Sequence, residues 1–214
     1  MKRFLTVGTV AGLLSALAAP ALASAGPSSS SALTVDDNFF APKQAALELD
    51  EGSFDWRWGP DGLGTANLHN VVQDDGLFDS GEVTTNDPDG FSVTASAGKY
   101  PYFCEVHGFR GGIGMAGVVS VRPVVVEPLS ERAARGVRVA WASDETTTGS
   151  KFDVRYKAGK KWKLWKKRTS KTSGVFGRKG KPVKLKRKPV KLQARSVGGK
   201  KKRSGWSPTL KLTR

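Results

Sequence analysis

Four side chains with metal-donor chemistry stand out by their rarity and spacing. The chain has two His, one Cys and, besides the initiator, one Met: His69, Cys104, His107 and Met115. Three of them fall in one run, Cys104-Glu-Val-His107-Gly-Phe-Arg-Gly-Gly-Ile-Gly-Met115. A thiolate, two imidazoles and a thioether form a donor set suited to copper in both oxidation states. Soft sulfur favours Cu(I), imidazole suits both states, and a weak thioether tunes the potential. Zinc also accepts Cys and His, so the donor types alone leave the ion open. Cys-x-x-His places two donors on one short loop, and His69 has to arrive from a neighbouring strand. A lone His is more often a packed core residue than a ligand; the weight comes from the combination, which leaves no His or Cys over.

The single Cys is informative because of where the chain is expected to reside. Lys2 and Arg3 precede an apolar run from Phe4 to Ala19, and small residues follow at Ala21, Ala23 and Ala25. This is the pattern of a secretory signal peptide over residues 1–25, with no transmembrane segment expected after cleavage. The mature chain is therefore expected outside the cytoplasm, as a secreted, cell-envelope or periplasmic protein. Proteins of oxidising compartments normally use Cys in pairs. Cys104 has no partner in the chain, so it is either buried and inert or occupied by a metal.

The donors have to be positioned by β-structure. Leu33-Thr-Val35, Ala46-Leu-Glu-Leu49, Phe54-Asp-Trp-Arg-Trp58, Phe91-Ser-Val-Thr-Ala95, the run from Tyr100 to Cys104, and Gly117-Val-Val-Ser-Val121 read as strands. They are separated by turn sequences such as Asp50-Glu-Gly52 and Gly59-Pro-Asp-Gly62, with no convincing helical period. Short strands at this spacing predict an all-β sandwich. Charge divides the chain: residues 26–122 carry 5 Lys+Arg against 14 Asp+Glu, and residues 123–214 carry 28 against 5. Two units are therefore expected, 32–122 and 123–214, with different surroundings and partners.

The acidic unit resembles a cupredoxin of the plastocyanin, pseudoazurin and halocyanin type. The resemblance rests on Asp37-Asn-Phe-Phe40-x-Pro42, Gly52 with Trp56, His69-Asn70-Val71, Phe78-Asp-Ser-Gly81, Gly98-Lys-Tyr-Pro-Tyr-Phe-Cys104 and Gly114-Met115-x-Gly117. It implies a Greek-key β-sandwich holding one type 1 copper ion, with His69, Cys104 and His107 as equatorial ligands and Met115 as the long axial one. It further implies that Asn70 ties the His69 loop to the Cys104 loop. An electron-exit patch is implied around His107, at Gly108, Phe109 and Ile113. Seven residues separate His107 from Met115, more than in plastocyanin, and position 103 is Phe where plastocyanin has Tyr.

The basic unit also alternates, through Val137-Arg-Val139-Ala-Trp141, Phe152-Asp-Val154-Arg-Tyr156, Trp162-Lys-Leu164, Val190-Lys-Leu192-Gln-Ala194 and Thr209-Leu210-Lys-Leu212. It is similar to a fibronectin type III module in Trp141, Phe152, Tyr156 and the closing Ser204-Gly-Trp-Ser-Pro208, although the usual Tyr near the F strand is missing. Its cations, from Lys157 to Lys171, Arg178 to Lys191 and Lys200 to Arg203, would attract polyanions. Trp162 and Trp165 among them suggest base stacking, but Trp in a β-module more often fills the core. No specific nucleic-acid partner is expected; anionic cell-envelope polymers or the acidic unit itself suit the charge better.

Together these features imply a one-electron carrier that meets redox partner proteins, rather than an enzyme. Multicopper oxidases and nitrite reductases need further His-rich centres, and both His are already committed. The alternative is a copper-handling protein without an electron-transfer role.

Overall fold

Leu33 and Val35 face inward from the first strand while Ala32 and Thr34 face outward, and the same alternation buries Phe54, Trp56 and Trp58 on the strand beside it. The computed structural model describes residues 30–128, 136–177, 189–199 and 202–213, which fold as strands and loops without helix. The expected signal peptide and the basic residues from 178 to 188 lie outside them.

The strands run in chain order: β1 Ser31–Asp36, β2 Phe39–Ala41, β3 Gln44–Glu48, β4 Phe54–Trp58, β5 Val72–Gln73, β6 Phe91–Val93, β7 Gly98–Phe109, β8 Ile113–Arg122, β9 Val124–Pro128, β10 Gly136–Ala140, β11 Lys151–Lys157, β12 Lys163–Thr169, β13 Ser173–Gly177, β14 Val190–Val197 and β15 Leu210–Leu212. One sheet has the order β2-β1-β4-β6 and another β3-β8-β7-β5. β1 runs parallel to β4 and β3 parallel to β8; the other pairings in these two sheets are antiparallel. The inward faces of both sheets supply one core, including Leu33, Trp56, Tyr100, Tyr102, Cys104, Met115 and Val119. That is consistent with the expected all-β sandwich. The period-two reading located the longer strands but missed β2, β5, β9 and β13, which are too short or too weakly alternating to register.

Residues beyond Arg122 form a second pair of sheets, β13-β10-β9 and β12-β11-β14-β15. Their core contains Val139, Trp141, Phe152, Val154, Phe176 and Leu192. Trp165 packs edge-on against Trp141 and Phe176, so it is a core aromatic. Trp162 is half-buried beneath the Arg155 guanidinium, which also lies over Trp206. Neither Trp162 nor Trp165 is a free stacking platform.

The two pairs of sheets meet along a hydrogen-bonded seam. Lys99 and Gly205 exchange backbone hydrogen bonds at 3.1 and 2.7 Å, and Ala97 N–H donates to the Trp141 carbonyl at 2.7 Å. Tyr100, fully buried, places its hydroxyl 2.8 Å from the Ser96 carbonyl and 3.2 Å from Thr148 Oγ1.

Candidate metal centre

In a regular strand, side chains three apart point to opposite faces. Cys104 and His107 nevertheless converge, because β7 breaks its pairing between them. Phe103 pairs with Ala116, yet the next pair, Gly108 with Gly114, advances five residues on β7 and only two on β8. The surplus residues bulge out and reverse the parity, so the alternation that buries Tyr100, Tyr102 and Cys104 also delivers His107 to the same site.

His69 comes from the other side. Its backbone N–H and carbonyl form a two-way bridge with Thr84, at 2.8 and 2.9 Å, which fixes the residue just ahead of β5. Asn70 then spans to the Cys104 loop. Its side-chain carbonyl accepts from Glu105 N–H at 3.0 Å, and its amide donates to Glu105 Oε2 at 2.8 Å and to the Gly81 carbonyl at 3.1 Å.

The three donors meet atom to atom. Cys104 Sγ lies 3.7 Å from His69 Nδ1 and 3.9 Å from His107 Nδ1, and the two Nδ1 atoms are 3.2 Å apart. A triangle with these sides has a circumradius of about 2.1 Å, matching metal–ligand lengths of about 2.0–2.3 Å to nitrogen and sulfur. The residues therefore fit a metal ion. Cys104 and His69 are inaccessible to solvent and His107 is partly exposed.

Asp37 faces the far side of His69. Its Oδ1 is 3.5 Å from His69 Nε2, within ion-pair range but longer than a normal hydrogen bond. A carboxylate there favours the Nε2–H tautomer and leaves the Nδ1 lone pair for the site. The Asn67 N–H, 2.9 Å away, is the main influence holding Asp37 below the ordinary carboxylate range. Burial holds His69 below its ordinary value of 6.5, against the pull of Asp37, so the ring is neutral at pH 7. The sequence contained Asp37 within the Asp37-Asn-Phe-Phe40 run, but no spacing argument connected it to His69, thirty-two positions on.

Met115 is buried in the same core as Cys104. The seven residues before it fold as a tight hairpin through Gly111 and Gly112, returning the Met115 carbonyl against the Cα of Gly108, where a Cβ would clash. Of the expected exit patch, Phe109 and Ile113 are well exposed, at 67% and 63%, and they pair across the hairpin. Gly108 is buried beneath them, because its role is to let the Met115 backbone approach. Leu68 and Val106, beside the two His, are exposed as well, and sequence reasoning had not included them.

Neither a protein-family model nor a curated protein matches this chain. The case for function thus rests on the residues and their geometry.

Proposed function

We propose that this protein is an exported blue-copper protein of the cupredoxin kind, carrying one electron at a time between partner proteins. The observation that carries this reading is the triangle of Cys104 Sγ, His69 Nδ1 and His107 Nδ1, whose centre lies at metal–ligand distance from all three atoms. Bound there, copper would supply reversible one-electron redox chemistry. The chain's contribution is to hold three donors on strand backbone, so that their positions change little between oxidation states. Met115 is assigned as the weak fourth donor from its burial with Cys104 in one core and from the resemblance. Asn70 fixes the separation of the two ligand loops. The exposed Phe109 and Ile113, with Leu68 and Val106, give a desolvating contact surface near His107.

Burial of Cys104 and His69 supports electron transfer over copper delivery, since a carrier that releases its ion benefits from accessible donors. The decisive test is to add Cu(II) to the purified protein and record the visible spectrum. An intense blue thiolate-to-copper band is expected, and it should vanish in Cys104→Ser; a colourless adduct overturns the assignment. Voltammetry separates the two copper readings: a stable, fast couple is expected, whereas copper readily lost to a mild chelator with no couple favours handling. The basic part of the chain is read as a fibronectin type III-like module that docks to anionic polymers of the envelope. Salt-sensitive retention of the whole protein on such a polymer is expected, and its absence removes the docking role.

A further inference from the structure

Where the loop after β5 meets the second pair of sheets, a cavity of about 580 Å³ is lined by Lys167, Arg168, Arg195, Lys202 and Arg203 together with Asp75 and Asp153. Its size falls within the range of about 300–1,000 Å³ typical of ligand pockets. Both carboxylates are already neutralised. Asp153 is buried; its Oδ2 accepts from Arg195 Nε at 3.0 Å and Nη2 at 2.7 Å, and its Oδ1 accepts from the Arg168 N–H at 2.8 Å. Asp75 Oδ1 is paired with Arg110 at 2.5 Å. The side chains of Lys167, Arg168, Lys202 and Arg203 make no ion pair among the described residues. Four uncompensated cations therefore share one cavity.

The cations stand on fixed backbone. Lys167 and Arg168 belong to β12, and Arg168 adopts a left-handed φ of 47° at the irregular pairing of β12 with β11. For a residue with a side chain this conformation is costly, and the bond from its N–H to buried Asp153 supports it. Arg195 is held between Asp153 and the face of Trp206, 4.5 Å from the ring centroid. Lys202 and Arg203 are tied back to β14: Gly198 N–H donates to the Lys202 carbonyl at 2.8 Å, and Val197 forms an antiparallel bridge with Arg203. Lys202 also reaches across the seam, with its ammonium over Gly76. Asp153 thus organises one wall, and Gly198, Lys202 and Arg203 the other.

We infer that this cavity binds a phosphoryl group, using Lys167, Arg168, Lys202 and Arg203 as donors. Clustered Arg and Lys at fixed positions suit an oxyanion with several acceptor oxygens, for which charge-assisted hydrogen bonds are strongest. The inference deepens the anionic-docking reading above by assigning it one pocket rather than a diffuse field. Free phosphate-bearing ligands and lipid headgroups present the same chemistry.

The test titrates the metal-free full chain with inorganic pyrophosphate by calorimetry, so that the probe has no copper to chelate. Lys167→Ala/Lys202→Ala should weaken binding at least tenfold. The control, Lys191→Ala/Lys211→Ala, removes two exposed lysines paired across β14 and β15 outside the pocket, and should change binding less than twofold. Absence of binding, or equal loss in both variants, overturns the pocket. Sedimentation with phosphatidylglycerol vesicles separates the sources. Vesicle binding that pyrophosphate displaces and the pocket variant lacks points to a headgroup; pyrophosphate binding without vesicle binding points to a soluble ligand. If pyrophosphate does not bind while salt-sensitive retention on an anionic polymer persists, docking stands and the pocket falls.

Discussion

Two tyrosines, two residues apart on β7, show how much a hydroxyl's surroundings decide. Tyr100 bonds to Ser96 and lies near Thr148, whereas the buried Tyr102 hydroxyl, above Gly117, has no hydrogen-bond partner among the described residues. Removing a satisfied buried hydroxyl leaves its partners unpaired, at about 1–2 kcal/mol; removing an unsatisfied one is nearly neutral or favourable. Tyr100→Phe should therefore lower the denaturation free energy by about 1–2 kcal/mol and Tyr102→Phe by less than about 0.5 kcal/mol, read from urea unfolding. Equal losses would show that the two sites do not differ. Burial also pushes Tyr102 up to about 12. Its ionisation, followed by ultraviolet absorbance, should begin at higher pH than the value of about 10 of a tyrosine in a free peptide. His69 gives the acid-side counterpart. Its folded value lies below 6.5, so as pH falls below 6.5 the unfolded chain takes up the proton first. The metal-free protein should lose stability from there downward, until folded His69 also protonates, and this contribution should be fully present above 6.5. Melting temperatures across pH 7.5–5 check it, and His69→Gln should flatten that part of the profile.

The β7–β8 hairpin converts a strand into a metal-binding loop, and its glycines are of two kinds. At Gly108 a Cβ would meet the Met115 carbonyl, which is backbone and cannot swing aside. At Gly112 there is open space but a φ of +86°. Gly112→Ala should cost about 1–2 kcal/mol, from left-handed strain alone. Gly108→Ala should cost roughly 2–3 kcal/mol, because the two strands must separate. Only Gly108→Ala is expected to reduce metal affinity markedly as well, measured by competition with a chelator; matching affinities would mean that this close approach does not set the site. The same hairpin marks what sequence could convey. Rarity of His and Cys pointed to the three converging donors, and alternation located β1, β4, β7 and β8. The bulge after Phe103 was illegible, since a lost pairing leaves no trace in residue type. The Asp37–His69 contact was hidden too, because it depends on how the turn at Asn38, with φ 67°, meets a loop from a distant part of the chain.

Across the whole molecule, the sharp change of charge describes surfaces, while the seam describes cohesion. Ser96, Thr148, Ser196 and Ser204 are all buried between the acidic and basic parts, around the Tyr100 hydroxyl. Buried polar groups of this kind are tolerable only while every partner is present, since an unpaired one costs about 1–3 kcal/mol. Separating the two parts would strand the Ser96 N–H, the Ala97 N–H and the reciprocal Lys99–Gly205 pair together. Either part unfolding therefore withdraws partners from the other, and the metal-free full chain should melt in one calorimetric transition whose van't Hoff and calorimetric enthalpies agree. Trp56 and Trp58 report on one core and Trp141 on the other. Tryptophan fluorescence, which samples both parts through Trp56 and Trp58 on one side and Trp141, Trp162, Trp165 and Trp206 on the other, should show the same single midpoint as circular dichroism of the whole. Two resolved transitions would show that the seam is a contact without thermodynamic coupling. In that case Tyr100→Phe would shift only the transition of the part that holds it.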